Sequence, residues 1–375
     1  MVLAERSSDM SDSPDLSHTD VSSRNKRGSI GYVFSGYLDA SSFEEVAEKR
    51  RPRSEFHVFL SRYDTDLVTF EKIVEGGALA RTLARLGRPV LGVAVAALER
   101  RRQYRALLTT GENVGYPAAL YSRLARARIP INVITHGSFF GSPYMHPVAY
   151  ALRSNRNVRY LTLSEALRMQ MITRFGFVKD LVVNIGYGVD TEFFKPQASE
   201  AAARPIIASA GVATRDYRAL VAATHDLNVD VRIAADSAWF PAAVDISPDR
   251  LPANCEAKSY GNYLRLRELY AAAAFVVVPL YPAFHACGLA VIAEAMAMGK
   301  AVITTRIAGR SDFIVEGENG YYVEPCDADG LRAKIKELLD DPARATEMGL
   351  AARSRMTRLF TLEAYVDRMI QAIGE

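Results

Sequence analysis

The stretch FVVVPLYPAFHACGLAVIAEAMAMGKAVITT, residues 275–305, decides the fold. Two short runs of β-branched residues flank a loop and an Ala- and Met-rich helical pattern, which predicts a strand–helix–strand unit of a parallel sheet. Gly288 stands where the loop turns into the helix, and a glycine there lets the backbone approach a ligand closely. The N–H groups of Leu289 and Ala290, with the positive end of the helix dipole behind them, predict a phosphate site.

The same alternation of short apolar runs and longer helical patterns continues along the whole chain. It predicts an α/β protein of two facing Rossmann-like domains, with a cleft between the carboxyl edges of their strands. In the first half, strands are predicted at residues 57–61 and 89–94, among others. The predicted divisions are a disordered tail (1–27), a first domain (28–188), a linker (189–204), a second domain (205–360) and a C-terminal helix (361–375) that crosses back to the first domain.

Composition excludes several classes of protein. The 375 residues suit two domains, and no apolar run approaches the ~20 residues that span a bilayer. Three widely spaced cysteines form neither a zinc pattern nor a disulfide framework, which favours a reducing, cytoplasmic setting.

The net charge of +3 hides an asymmetry between the two halves. Residues 51–200 carry a net +9 and residues 201–375 a net −3, and the densest basic cluster is Arg100, Arg101, Arg102 and Arg105. The basic half is either an ordinary solvated surface or a surface that attracts an anionic substrate or the inner face of a membrane, so a peripheral membrane contact stays open. Scattered arginines without a recognition motif argue against nucleic-acid binding.

Glu294 is the one carboxylate on the otherwise apolar helix that follows Gly288. It either forms a salt bridge or faces solvent, or it accepts hydrogen bonds from the hydroxyls of a ribose. We favour binding to a ribose, because a lone carboxylate on a helix otherwise made of Ala, Met, Val and Ile needs a partner.

Three motifs of this region carry a family resemblance. E-A-M-A-M-G-K-A-V-I from Glu294, G-R-S-D from Gly309 and E-G-E-N-G from Glu316 resemble the C-terminal half of the retaining family-4 (group 1) glycosyltransferases. Upstream, G-V-D-T-E-F-F-K-P from Gly188 is similar to the interdomain segment of that family.

The resemblance implies a GT-B architecture of two Rossmann-like domains. The second domain would bind a nucleotide-diphosphate sugar as the donor substrate, through Gly288, Leu289, Ala290 and Glu294, with Lys300 a weaker candidate. The first domain would bind the hydroxyl acceptor, a glycan, lipid or small molecule. The family needs neither a metal nor a separate cofactor, so none is expected.

The sequence departs from the family pattern at two places. Ala286 stands where many members have a glutamate that contacts the donor sugar, and the adjacent His285 could supply a polar contact instead. Val212 stands where members commonly have arginine, which leaves Arg215 as the cation for the diphosphate. Arg215 is either a donor-binding and catalytic residue or a surface residue at a helix start.

In the first domain, the candidates follow the predicted strands. Gly36 follows the first strand, where the family brings acceptor and diphosphate close to the backbone. His136 follows the strand INVIT, near the expected position of the donor sugar, and is either catalytic or a polar loop residue. Glu112 and Asn113 follow another strand and either bind acceptor hydroxyls or cap the next helix.

We therefore expect a metal-independent glycosyltransferase that retains the anomeric configuration. Two alternatives stay open. One is a sugar-nucleotide epimerase or hydrolase on the same scaffold, against which the missing carboxylate at Ala286 argues. The other is a non-catalytic, nucleotide-sugar-binding partner subunit.

Overall fold

The computed structural model describes residues 28–37, 41–141, 146–200, 202–235 and 251–374, except for the side chains of Phe139 and Phe140. The predicted disordered tail, residues 1–27, lies outside the described residues. Two parallel six-stranded sheets form the molecule, each covered by helices.

The first sheet has the strand order β2-β1-β3-β4-β5-β6. Its strands are β1 (Ser29–Val33), β2 (Thr65–Val68), β3 (Tyr104–Thr109), β4 (Ile131–Thr135), β5 (Val158–Thr162) and β6 (Val182–Asn184). Its helices are α1 (Ser41–Ala47), α2 (Glu55–Arg62), α3 (Ala78–Arg85), α4 (Pro89–Glu99), α5 (Glu112–Leu124), α6 (His146–Leu152) and α7 (Glu165–Thr173).

The second sheet has the order β12-β11-β10-β7-β8-β9. Its strands are β7 (Ile206–Ala210), β8 (Asp230–Ala234), β9 (Cys255–Lys258), β10 (Phe275–Val278), β11 (Val302–Thr305) and β12 (Gly320–Val323). The helices that follow in the chain are α8 (Tyr217–Thr224), α9 (Tyr263–Ala272), α10 (Leu289–Ala297), α11 (Ala328–Asp340), α12 (Pro342–Leu359) and α13 (Leu362–Ile373). The predicted class, two Rossmann-like α/β domains, is confirmed.

Two predicted strands of the first half are wrong. Residues 57–61 belong to α2, because Ser54 and His57 form a capping box that starts a helix. Residues 89–94 belong to α4, which begins with Pro89 at a position that favours proline and is buried continuously from Gly92 to Leu98. The sequence also gave no sign of β9, a short polar strand at the sheet edge.

The two domains are in direct contact. The Asp312 carboxylate of the second accepts hydrogen bonds from the backbone of Glu165 and from Asn184, at 2.9–3.1 Å. The linker returns to the second domain's last helices, since Val189 donates to the carbonyl of Phe360. Helix α13 then packs against α2 and β5 of the first domain. No described helix has both the length and the apolar character needed to cross a membrane.

Candidate functional site

The strand orders define two topological switch points, where ligands bind in open parallel sheets. In the first sheet the order reverses between β1 and β3, and in the second between β10 and β7. Gly36 follows β1, Glu112 follows β3, Arg215 follows β7, and Gly288 follows β10. The fold therefore brings candidates that are far apart in the sequence to the carboxyl edges of the two sheets.

Gly288 forms the N-cap of α10 in the left-handed conformation, with φ of 76°. A Cβ atom there would lie 3.3 Å from the side chains of Val278 and Leu280. Helix geometry leaves the first N–H groups, those of Leu289 and Ala290 among them, without intrahelical acceptors. This helix start is therefore a site where an anion can be bound by the backbone.

Beside α10 lies a cavity of about 400 Å³ with Glu294 in its lining. The Glu294 carboxylate accepts a hydrogen bond of 3.0 Å from the Tyr270 hydroxyl and is 9% exposed. Burial raises the pKa of Glu294 to about 7, although the Tyr270 hydrogen bond and the nearby Arg215 charge oppose the rise. A buried carboxylate with few partners is suited to accept hydrogen bonds from ligand hydroxyls.

Arg215 is nearly buried, and its positive charge acts on this carboxylate. Its guanidinium folds back on the loop after β7, where Nε donates to the Ala210 carbonyl at 2.8 Å and one terminal nitrogen donates to Ala213 at 2.9 Å. Gly211 has room for this arrangement only because it lacks a Cβ, which would lie 2.6 Å from the guanidinium. Arg215 is therefore a fixed positive charge at the switch point of the second sheet.

The lining of the cavity is shared between the domains. Tyr260 and Gly261 come from the loop after β9 and Tyr263 is the first residue of α9, whereas Arg50 and Arg51 come from the first domain. The Arg51 guanidinium lies 5.7 Å from the centre of the Tyr263 ring and 3.4 Å from Glu45. Sequence reasoning missed these lining residues. Strand β9 was not recognised, and local sequence does not show which residues of the first domain contact the second.

The first domain contributes a histidine–carboxylate pair. His136 Nδ1 lies 3.5 Å from Glu112, which also accepts a hydrogen bond from the Gly137 backbone. Burial disfavours the charged form of both groups, but their mutual hydrogen bond and attraction outweigh it. The pKa of His136 is consequently raised and that of Glu112 is lowered.

This pairing uses both carboxylate oxygens of Glu112 within the protein. The residue is 3% exposed and is placed to orient His136, and its contact with acceptor hydroxyls stays a prediction. Asn113 is exposed, and its side-chain oxygen accepts from the Val114 N–H, as a residue in the first turn of α5 can do. A Cβ atom on Gly36 would meet open space. The Gly36 carbonyl accepts a hydrogen bond from the Phe70 N–H.

His285 and Ala286 lie where the carboxyl edges of the two sheets come together. The Ala286 N–H donates to the His136 carbonyl at 2.7 Å, across the domain boundary. Burial lowers the pKa of His285, with the neighbouring Glu112 and His136 charges acting in opposite directions. The two imidazoles therefore have pKa values shifted in opposite directions, with that of His136 raised and that of His285 lowered.

Lys300 lies away from this arrangement, beyond the C-terminal end of α10. Its ammonium donates to the carbonyls of Ala271 and Ala273 at 2.8 and 2.7 Å and so satisfies the end of α9. These hydrogen bonds give Lys300 a structural role, and its contact with the donor stays a prediction. Within the described part of the chain, no three His, Cys, Asp or Glu residues are grouped so that they could hold a metal ion.

Comparison with known proteins agrees with this geometry. Residues 249–355 match the family model described as "Glycosyl transferases group 1". The chain is similar to the MMP alpha-(1->4)-mannosyltransferase of Mycolicibacterium hassiacum, with 27% identity over 217 residues, 56% of this chain and 52% of that protein. It is also similar to a glycogen synthase of Mycobacterium tuberculosis, with 39% identity over 67 residues, 18% of this chain and 16% of that protein.

Solved structures share the whole architecture. The sucrose-phosphate synthase of Thermosynechococcus elongatus superposes with a TM-score of 0.68 at 19% identity, covering 92% of this chain and 98% of that one. HepE of Anabaena, in complex with UDP-glucose, gives a TM-score of 0.66 at 17% identity over 92% and 99% of the two chains. The fold is therefore that of GT-B glycosyltransferases, and the family match supports assignment to group 1. The chain spans about half or less of the curated relatives named above.

Proposed function

We propose that this protein is a glycosyltransferase that moves a sugar from a nucleotide-diphosphate donor to an acceptor hydroxyl. The observation that carries the proposal is the cavity beside α10, which the buried carboxylate of Glu294 lines. The fixed charge of Arg215 acts on this carboxylate, and the helix that carries Glu294 starts at Gly288. A nucleotide sugar offers the matching chemistry in one molecule, since its ribose hydroxyls donate hydrogen bonds and its diphosphate is an anion.

In this mechanism the protein stabilises charge instead of supplying a nucleophile. Glu294 would bind the ribose, and the first N–H groups of α10 would bind the diphosphate, with Arg215 close by. As the sugar–phosphate bond breaks, negative charge grows on the leaving diphosphate, and preorganised donors stabilise it. His136, held by Glu112, would donate a hydrogen bond to the transferred sugar or its phosphate. Closure of the domains would exclude water.

Retention of configuration, independence of metal and the nature of the acceptor are finer parts of the same proposal. Retention rests on the resemblance of the Glu294 and Gly309 motifs. Backbone N–H groups and Arg215 provide positive character at the diphosphate site, which supports turnover without a metal. The acceptor would be a glycan, lipid or small molecule with a free hydroxyl, and the net positive charge of the first domain supports an anionic acceptor or a membrane-bound one.

The test is an assay of nucleoside diphosphate release from a panel of nucleotide sugars, with and without acceptors and with and without EDTA. We expect release from one donor that requires an acceptor, survives EDTA and gives a product whose anomeric configuration matches the donor. Arg215→Ala should lower turnover, whereas Glu318→Ala, on an exposed loop of the same domain, should not.

Two outcomes of this assay would contradict the proposal. Failure to bind any nucleotide sugar would exclude all functions of this class. Tight binding without turnover would favour a non-catalytic nucleotide-sugar-binding subunit. One structural observation favours a non-catalytic subunit as the second candidate. Ala286 stands where family members carry a glutamate, and its backbone N–H is already hydrogen-bonded to the His136 carbonyl.

A further inference from the structure

A second cavity lies at the amino edge of the first sheet, at the opposite end of the strands from the cleft. Its volume is about 430 Å³. The lining comes from the first residues of β4 and β5, from the turns that precede these strands and from the end of α13. Open parallel sheets bind their usual ligands outside the carboxyl ends of the strands, so the proposed transfer makes no use of this cavity.

The cavity is basic. Arg128, Arg156 and Arg159 line it, and none of its lining residues in the described part of the chain is an Asp or a Glu. The surrounding sequence has the same bias, because residues 113–164 contain six arginines, no lysine and no acidic residue. Guanidinium groups that surround one cavity without a carboxylate repel each other and attract an anion.

The turns that carry two of these arginines are joined to each other. The Ile131 N–H donates to the Asn157 carbonyl at 2.9 Å, and the Asn157 N–H donates to the Asn155 side chain at 3.1 Å. Arg128 and Arg156 therefore lie on neighbouring turns whose backbones are already hydrogen-bonded, and a ligand would not have to order these turns when it binds.

The third arginine is held by the last turn of α13. The Arg159 guanidinium donates a hydrogen bond to the Ala372 carbonyl. A Cβ atom on Gly374 would lie 3.7 Å from the same guanidinium nitrogen, and Ile373 lines the cavity between them in the sequence. Because this arginine satisfies the end of a helix, its charge is fixed at the cavity before any ligand binds.

The size and polarity of the cavity suit a small phosphorylated molecule. Cavities of roughly 300–1,000 Å³ hold small ligands, and a single phosphate group would leave most of this volume empty. Arginine binds phosphate through two parallel hydrogen bonds. Asn132 also lines the cavity, and since its amide nitrogen donates to the Leu107 carbonyl at 3.2 Å, its side-chain oxygen is the atom that can accept from a ligand hydroxyl.

We infer that this cavity binds a small hydroxylated phosphate ester, which holds the end of α13 on the first domain. Helix α13 connects the cavity with the interdomain linker. At its start, Glu363 accepts a hydrogen bond of 2.7 Å from Arg53, which also donates to Asp190 of the linker at 2.9 Å. At its end, it is bound by Arg159. A ligand at one end of this helix therefore stabilises the element that meets the linker at the other end.

The experiment is calorimetric titration of the full chain with ribose 5-phosphate, with ribose as the uncharged match and inorganic phosphate as the match without a sugar. We expect ribose 5-phosphate to bind with a Kd below about 1 mM that rises with salt, and inorganic phosphate to bind about tenfold more weakly. Ribose should not bind.

Paired variants locate the binding site. Arg128→Gln/Arg156→Gln should weaken binding of ribose 5-phosphate about tenfold or more, because it removes two charge-assisted interactions. Arg85→Gln/Arg88→Gln removes two exposed arginines of the same domain that lie outside the cavity, and this matched control should leave the affinity unchanged. Amide hydrogen exchange over residues 362–374 should slow on addition of ribose 5-phosphate in the parent and the control, but not in the cavity variant.

Four results would overturn the inference. They are no saturable binding of ribose 5-phosphate, equally tight binding of ribose or of inorganic phosphate, equal losses in the two paired variants, and unchanged exchange in α13. A loss of binding in Arg215→Ala that the cavity variant does not share would place the ester in the cavity beside α10 and would also overturn it. Circular dichroism confirms that each variant is folded. Nucleotide-sugar binding without the ester should be the same in both paired variants and the parent, so a failure of this site is distinguished from a failure of the proposed function.

Discussion

Glu294 is the residue at which burial and charge compete most directly. Its pKa is raised from 4.5 to about 7, so the folded protein holds this proton more tightly than the unfolded chain does. The stability that results is present at pH 4–5 and is lost as the pH rises towards 7, by about 3 kcal/mol at most. A carboxylate retained at such a cost is better explained by a ligand than by the fold.

Glu294→Gln should therefore separate stability from binding. Glutamine keeps an acceptor for the Tyr270 hydroxyl but carries no charge. We expect the variant to match the parent in thermal unfolding midpoint at pH 5, to exceed it at pH 8, and to bind nucleoside diphosphate at least about tenfold more weakly. Calorimetry at the two pH values and titration with nucleotide provide the measurements. Unchanged nucleotide affinity would refute the ribose role.

Glu112 is a second residue whose effect can be tested by a single substitution, because it raises the pKa of His136. Because Glu112 outweighs the effect of burial and raises the pKa of His136, removal of its charge should lower that pKa. If turnover requires the charged imidazole, kcat falls as the pH rises through the pKa of His136. In Glu112→Gln, this fall in kcat should occur at lower pH. A pH profile of kcat tests the shift. A uniform loss of activity without any shift would leave Glu112 a purely structural residue.

At the scale of one element, α10 depends on Gly288. Alanine there would adopt an unfavourable left-handed conformation and bring a Cβ to 3.3 Å from Val278 and Leu280. Gly317 has a similar φ of 75° but open space around it, so Gly317→Ala is a control for the conformational cost alone.

We expect both alanine variants to be destabilised by about 1–2 kcal/mol in denaturant unfolding. Only Gly288→Ala should also weaken binding of nucleoside diphosphate relative to the free nucleoside, because it would shift the N–H groups that we propose for the phosphates. Equal diphosphate affinities in the two variants would show that this helix start does not bind the ligand.

Elements also show what the sequence could and could not predict. Strand β10, Gly288 and α10 follow from local signals: a β-branched run, a turn residue and a helical pattern. Helix α4 could not be distinguished from a strand, because it is apolar on all sides and has no period. Strand β9, with the sequence CEAK, has a polar composition because it lies at a sheet edge.

The candidate site also contains residues that local sequence marks and residues that it does not. Glu294 was found because it is the single charge in an apolar helix. Its hydrogen-bond donor Tyr270 was not found, and neither was Arg51, because long-range packing brings them to the cavity and nothing in their local sequence marks them. The hydrogen bonds of Lys300 with the end of α9 were not predicted for a related reason, since motif spacing does not show which carbonyls a side chain reaches.

At the scale of the whole molecule, the cavity that we propose for the donor is lined by both domains. Glu294 and Tyr263 are residues of the second domain, whereas Arg51 reaches the same cavity from the first. A donor bound there would contact both domains, so its binding free energy would favour the arrangement in which they are in contact.

Arg51→Ala tests this dependence, with Arg50→Ala as its neighbour and control. Both arginines line the cavity, but Arg51 lies over Tyr263 with a side chain 20% exposed, whereas Arg50 is 51% exposed and pairs with Glu45 and Glu48. Loss of a partly buried cation should weaken nucleoside diphosphate binding about tenfold, and loss of the exposed one much less. Small-angle scattering should show that nucleotide contracts the parent and the Arg50 variant but not the Arg51 variant. Identical behaviour of the two variants would mean that the second domain binds the donor without help from the first.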